Sequence, residues 1–466
     1  MTVNAGARLD RLPMSRFHRR IMWLIGAGMF FDGFDIYIAS TVLGATLHAK
    51  FSTLSQTAWF VSLTFVGMTL GSLGTGFLGD QFGRRFTYQA NLMVFGLASL
   101  ASALAPNMWV LIACRFVMGV GLGAENVVGY STLTEFVPPR ARGRLQGLMT
   151  VFVVTGLPVS ALAGLVLVPA LGWRVMYVLG GLGAVAVWYV RKQLPESPRW
   201  LAATGRDQEA EALLQAIEAE VAAEHGPLPP PSTAPARSFS RALGSLFEPA
   251  MLPRLVVACL VLIVINTLIY GFITWLPTFF VSQGMTIARS FNFAFVMALG
   301  APLGSAIGAF TADRWGRKTM IVAASVVAIV VGAIYPFVTD PVLLVVAGVS
   351  LVIPIYVLVA LMFGIYVPEL FPTEIRLRAS GICNTIGRAA TIATPFVVVW
   401  LFEHHGVIGV LAFMISLLVL QIAVVARWGL ETEGRALEDV AADGAPRPPG
   451  AGQLPSARVV TDREAP

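Results

Sequence analysis

Charged side chains stand at five positions where the surrounding sequence is almost wholly apolar: Asp32, Asp35, Arg115, Glu125 and Arg388. Asp32 and Asp35 are three residues apart, so in a helix they share one face. Acids inside an apolar helix are costly, and where such a helix crosses a bilayer they mark ion or proton pathways. A group that releases and regains a proton as access changes is what proton coupling requires. The plainer alternative is an acid that pairs with a base and only holds a bundle together. Arg388, within Gly387-Arg388-Ala389-Ala390, needs a counter-anion in the same low-dielectric setting. A guanidinium grips a carboxylate through two parallel hydrogen bonds. The residue type therefore points to an organic anion as ligand, or else to a permanent internal pair with Asp32 or Glu125. Glu125 and Asn126 stand midway along one apolar run, where they can bind a ligand, relay protons or hydrogen-bond to a neighbouring helix.

Asn266 and Tyr270 are four residues apart and share a helix face. Together they can hydrogen-bond to and stack on a flat ligand. Trp275 joins them, although one aromatic in a span serves core packing equally well. Asn384 and Asn292 are weaker candidates, and Trp59 and Phe60 suit an interfacial anchor. Gly119, Gly121 and Gly123 follow no strand, which excludes a phosphate loop and leaves close helix packing. Cys114, Cys259 and Cys383 lie far apart inside apolar runs and read as packing residues, not metal ligands. His404 and His405 are placed in an outer loop and make no metal site. With no nucleophile–base set, metal cluster or phosphate loop, an enzyme is not expected, and no cofactor is implied beyond a coupling proton.

The elements that carry these residues follow from composition. Of 466 residues, 56% are hydrophobic and 12% charged, whereas a soluble domain is about 25% charged. So little charge cannot cover a water-facing surface of this size. Twelve membrane spans need about 240 apolar residues, which the composition supplies. The net charge of +6 could suggest nucleic acid, but the basic residues sit in short clusters between apolar runs, not on one stripe. The lipid bilayer is the partner this implies.

Spans are expected near 20–44, 56–79, 86–105, 108–135, 145–168, 173–192, 253–281, 289–312, 318–338, 341–368, 377–401 and 405–427. With twelve spans, Arg8, Arg11, Arg16, Arg19, Arg20, Arg84–Arg85, Arg140–Arg142–Arg144, Arg191–Lys192, Arg314–Arg317–Lys318 and Arg376–Arg378 all fall on one side. The positive-inside rule puts that side, and both termini, in the cytoplasm. Residues 1–19 form a cytoplasmic arm, 20–192 one six-helix bundle, 193–252 a cytoplasmic linker, 253–428 a second six-helix bundle, and 429–466 a tail expected to be disordered. In the linker, Asp207 to Glu224 has helical propensity, and prolines between 227 and 235 follow it.

The halves repeat. Gly79-Asp80-Gln81-Phe82-Gly83-Arg84-Arg85 matches Ala312-Asp313-Arg314-Trp315-Gly316-Arg317-Lys318 at an offset of 233, and Glu135, Pro138 and Arg142 match Glu369, Pro372 and Arg376 at 234. Two motif pairs at almost one offset indicate internal duplication, a design of many secondary transporters. On Gly76 to Arg85, its copy at Ala309 to Lys318, and Pro195-Glu196-Ser197-Pro198-Arg199, residues 20–428 resemble the major facilitator superfamily. Asp32-Gly33-Phe34-Asp35, Thr274-Trp275-Leu276-Pro277-Thr278 and Gly387-Arg388 make the chain similar to its aromatic acid:proton symporters, with nicotinate-type carriers close to that branch.

The resemblance implies an all-α membrane protein of twelve transmembrane helices in two pseudo-symmetric six-helix bundles. It implies a monomer in a bacterial inner membrane that imports a small, aromatic monocarboxylate with a proton by alternating access. Asp35 and Arg115 carry over as a coupling pair, with Asp32 beside them. Arg388, Glu125, Asn126, Tyr270, Asn266, Trp275 and Asn384 are the expected substrate contacts. Asp80, Arg84, Glu135 and Arg142, with Asp313, Arg317, Glu369 and Arg376, are expected to form gating charge networks. A sugar or polyol symporter also fits the Asp35–Arg115 pair, but the seventh span lacks the glutamine-rich pattern of those carriers. A receptor that binds a small acid without moving it is the alternative of another class, and the short tail counts against it.

Overall fold

A computed structural model describes residues 4–231, 247–249, 251–371 and 376–432, without the side chains at 75–77, 79–80, 126–127, 139–140, 142–144, 312–314 and 376–378. The described residues are helical almost throughout. A short helix α1 (Ala5–Asp10) leads into α2 (Arg16–His48), α3 (Leu54–Phe82), α4 (Arg84–Ala103), α5 (Met108–Phe136), α6 (Pro139–Leu171) and α7 (Arg174–Val190). Two helices follow outside the bundles, α8 (Pro198–Ala203) and α9 (Asp207–His225). The second half contains α10 (Leu252–Gly271), α11 (Leu276–Ser282), α12 (Ile287–Ala298), α13 (Gly300–Trp315), α14 (Arg317–Ile334), α15 (Pro341–Leu361), α16 (Val367–Glu369) and α17 (Arg376–Trp428).

Nine helical segments among the described residues are long and apolar enough to cross a membrane. One of them, Ala379–Trp428, contains two helices, because the backbone at Gly406 (φ 63°, ψ −158°) leaves the helical region. Two more expected crossings miss the criterion for local reasons. Helix α7 is only 17 residues long, and α4 opens on Arg84 and Arg85 and carries Thr87, Gln89 and Asn91. His404 and His405, expected in a loop, lie instead on the last helical turn before Gly406, where His404 stacks on Trp400 at 5.0 Å. The tail beyond Thr432, expected to be disordered, lies outside the described residues, as do 232–246 of the linker.

The duplication is visible in how each half is tied at its arginine motif. Gly83 (φ 91°) and Gly316 (φ 81°) take left-handed backbone just before α4 and α14, which a side chain would oppose. The exposed first N–H groups of each helix then receive a carboxylate. Glu196 accepts from Arg84 N at 2.9 Å, and Glu431 accepts from Arg317 N at 2.8 Å and Lys318 N at 3.1 Å. An anion at a helix N-terminus satisfies orphan donors and opposes the helix dipole. The Glu196 element therefore has a second copy at Glu431, which the sequence motifs did not reveal.

The arm is held by the linker helix. Arg8 bridges Glu211 at 2.5 Å and Glu218 at 2.6 Å, Arg11 reaches Glu218 at 2.6 Å, and Arg199 reaches Asp10 at 2.6 Å. Hydrogen bonds from Arg8 hold the Glu218 carboxyl below the usual carboxylate range. Its folded value lies below its unfolded one. The clasp's contribution is therefore complete above the ordinary glutamate value of about 4.3 and is lost only as pH falls through the lowered value. Glu218→Ala strands both arginines and is expected to cost about 1–2 kcal/mol of local stability. Trypsin cleavage at Arg8 and Arg11 should then quicken about 5- to 30-fold, while the parent's cleavage rate, corrected for protease activity, stays level between pH 8 and 6.

Candidate functional site

The charged residues of the apolar runs come together at the middle of the bundle. Helices α3 and α5 approach closely because Gly119 and Gly123 leave room for the α3 backbone, so that a Cβ at either would overlap a carbonyl of Thr64 or Met68. This is the small-residue packing that membrane helices use. It brings Arg115 of α5 against Asp35 of α2. Arg115 Nη1 donates to Asp35 Oδ2 at 2.7 Å, with both side chains at most 1% exposed. The guanidinium also faces the Phe60 ring at 5.0 Å, so Phe60 supports this pair and is not an interfacial anchor. A small cavity beside the pair is lined by Arg115, Phe60, Phe65, Met68, Tyr270 and Thr274.

Asp32, one helical turn nearer the arm, is equally buried, but neither carboxylate oxygen has a hydrogen-bond partner among the described residues. The charges that act on it are those of Glu125, Arg191, Asp35 and Arg388. Arg191 corrects a reading from sequence. Grouped with Lys192 as a positive loop marker, it is instead 1% exposed and ion-paired with Glu125. Its Nε and Nη2 donate to the carbonyls of Leu24 at 3.0 Å and Ile25 at 2.9 Å, and its Cζ lies 4.5 Å from the Tyr88 ring centre. Gly28 provides the space, since a Cβ there would overlap the guanidinium. Glu125, expected among the substrate contacts, is thus turned toward Arg191. Its identification as a buried acid was available from sequence, whereas its partner 66 residues away was not.

Arg388 of α17 has the opposite character. It is partly buried, and its guanidinium has no ion-pair partner among the described residues. It lies within electrostatic reach of Asp32 and of the hydroxyls of Tyr130 on α5 and Tyr270 on α10. Tyr130, which sequence reasoning missed, also meets Thr150 at 3.3 Å. The other expected contacts divide. Tyr270 packs edge-to-face on Phe65 at 4.4 Å across the two halves. Asn266 donates to its own helix at Leu262 O (2.7 Å) and Asn384 to Ser380 O (2.9 Å), so one amide proton of each is already used. Trp275 is fully buried and stacks on Phe279 at 6.2 Å, and its indole N–H has no hydrogen-bond partner among the described residues. The side chain of Asn126 lies outside the described residues.

The two halves meet above this centre, on the side away from the arm. Tyr356 donates to Tyr37 at 3.1 Å, Trp59 meets Phe396 at 4.9 Å, and Gly44 lies 3.0 Å, measured from an ideal Cβ, from Pro277. Of the expected gating residues, Arg84 pairs with Glu135 at 2.9 Å and Arg317 with Glu369 at 3.1 Å, each within its own half. The side chains of Asp80, Arg142, Asp313 and Arg376 lie outside the described residues.

A duplicated, all-helical membrane fold with unsatisfied charges between its halves defines a secondary transporter of small metabolites, of the major facilitator type. Residues 22–443 match the model of the "Sugar (and other) transporter" family, and the chain belongs to that family. It is 36% identical to the inner membrane metabolite transport protein YdjE of Escherichia coli, over 93% of this chain and 98% of that protein. It is 31% identical to the niacin transporter NiaP of Acinetobacter baylyi, over 93% and 99% respectively. Among solved structures, the xylose transporter XylE from E. coli shares the fold with a TM-score of 0.70 at 16% identity, covering 91% of this chain and all of that one. The family consists of carriers, not enzymes.

Proposed function

We propose that the chain imports a small aromatic monocarboxylate together with a proton. The observation that carries this reading is the Arg388 guanidinium, which has no ion-pair partner among the described residues and lies within electrostatic reach of the bare carboxylate of Asp32. A buried cation of this kind is most economically completed by an anion that enters, is held by two hydrogen bonds and leaves. Tyr130 and Tyr270 offer hydroxyls and rings to a flat acid. Asp32 or Asp35 takes up the proton. The likeness to a niacin transporter supports an aromatic acid as cargo. Both termini lie in the cytoplasm, the arginine pairs at the motif loops act as gates, and one duplicated chain works as a monomer in a bacterial inner membrane.

The test is uptake of labelled nicotinate and benzoate into vesicles containing the purified protein, driven by an inward proton gradient. Unlabelled benzoate-type acids should compete, whereas nicotinamide, which lacks the carboxylate, and xylose should not. Competition by xylose would favour the sugar reading. No uptake across a broad carboxylate panel would overturn the acid reading, and binding without counterflow would leave a receptor.

A further inference from the structure

Four buried carboxylate oxygens near the centre of the first half lack a donor among the described residues: both of Asp32, Oδ1 of Asp35 and Oε2 of Glu125. Gly28, which the Arg191 guanidinium covers, and Asp32 are four residues apart on α2 and share a face, so Asp32 stands one helical turn along from the Arg191–Glu125 pair. One cation serves both acids, because Arg191 contacts Glu125 through Nη1 and lies within electrostatic reach of Asp32. The other charged and titratable groups around Asp32 are Asp35 on its own helix, Arg388 from α17, Tyr130 from α5 and Tyr88 from α4. Asp35 is already engaged by Arg115. Two carboxylates with three open acceptor positions therefore face one fixed guanidinium. A proton placed between them supplies the missing donor and balances the charge.

We propose that Asp32 and Glu125 share a single proton, that this pair is the carrier's proton site, and that Arg191 is its positioning residue. The inference rests on the proton-coupled reading above and deepens it by separating the proton site from the Asp35–Arg115 pair. In the transfer, the O–H bond on Asp32 breaks and leaves its electron pair on the Asp32 carboxylate. A new O–H bond forms at Glu125 Oε2, so net charge is unchanged. Arg191 counters whichever acid is ionised. Its two bonds to the carbonyls of Leu24 and Ile25 and its close fit over Gly28 keep it in place while the proton moves. Asp32 lies within electrostatic reach of Arg388, and Glu125 pairs with Arg191 at the arm end of α7, so the step carries the proton from the acid's site toward the arm face. In this arrangement Glu125 is a proton carrier and not a ligand of the acid.

The test uses the full chain in vesicles with labelled nicotinate or benzoate and two readouts. One is accumulation driven by a proton gradient; the other is counterflow at equal pH, which needs no net proton movement. Glu125→Gln is expected to lose gradient-driven accumulation by about 100-fold, the scale of a positioned proton-transfer group, while still exchanging labelled acid by counterflow. Glu125→Asp should restore accumulation with a displaced pH profile, since a carboxylate is retained at a changed distance from Arg191. Undiminished gradient-driven accumulation in Glu125→Gln would overturn the proposal. So would loss of counterflow in a variant whose thermal unfolding shows it folded, because that outcome would make Glu125 a ligand or a gate. Should Glu125→Gln fail to fold, Glu125→Asp decides, and an unchanged pH profile counts against the proposal. A parent protein that accumulates no acid under the gradient would instead remove the underlying proton-symport reading.

Discussion

Replacing Arg388 with alanine is expected to reduce carboxylate uptake about 100-fold, corresponding to roughly 3 kcal/mol from two charge-assisted hydrogen bonds lost in a desolvated site. Arg388→Lys keeps the charge but not the planar fork, and should recover part of that loss. Little folding stability should be lost, because the guanidinium holds no ion pair among the described residues in the ligand-free protein. The two effects can be read in one experiment. In a thermal-shift screen, nicotinate and benzoate should raise the melting temperature of the parent and leave Arg388→Ala unmoved, while the two apo proteins melt within a few degrees of one another. Equal shifts in parent and variant would remove Arg388 from the site.

The second large effect is expected at Asp35, and it differs in kind. Arg115 is 1% exposed and rests on Asp35 and the face of Phe60. Asp35→Asn leaves that guanidinium charged and unpaired in an apolar setting, at an expected cost of about 3–5 kcal/mol. Transport should fall with stability. Removing the cation as well, as Asp35→Asn with Arg115→Gln, should return much of the stability and, because the proton site is placed at Asp32 and Glu125, part of the gradient-driven uptake. Thermal unfolding of the single and double variants measures the coupling directly. A single variant as stable as the parent would show that the pair is weak or already broken in the working protein. The contrast with Arg388 is the main physical point. Asp35 and Glu125 each hold an arginine, whereas Asp32 and the Arg388 guanidinium have no hydrogen-bonded or ion-pair partner among the described residues.

Much of the fold could be read from the order of residues. Apolar runs of membrane length, arginine clusters on alternate loops and the repeated glycine–basic–basic element define the architecture because lipid tolerates few alternatives. The candidate centre was visible for the same reason, since an acid or arginine inside an apolar run stands out without any knowledge of contacts. What stayed hidden were partnerships. Arg191 looked like a loop marker because it stands beside Lys192 at the end of a span, and nothing in its neighbourhood points to Glu125 on another helix. Tyr130, and the Tyr37–Tyr356 bond across the halves, are single polar groups in long helices, where spacing gives no indication of which face meets the centre. Trp275 shows the same limit from the other side: its motif is prominent, but its packing on Phe279 could not be read from the sequence. Glu431 was hidden by its position at the edge of a low-complexity tail, although it repeats the work of Glu196.

The most direct measurement is the pH inside vesicles containing the purified protein and a trapped pH-sensitive dye. Nicotinate is added outside with no gradient imposed, and protein-free vesicles correct for passive entry of the neutral acid. Carriage of acid and proton together should acidify the interior at a rate that follows labelled uptake, with Arg388→Ala abolishing both signals. Labelled acid entering with no change in internal pH, or an unaltered signal from Arg388→Ala, would contradict it.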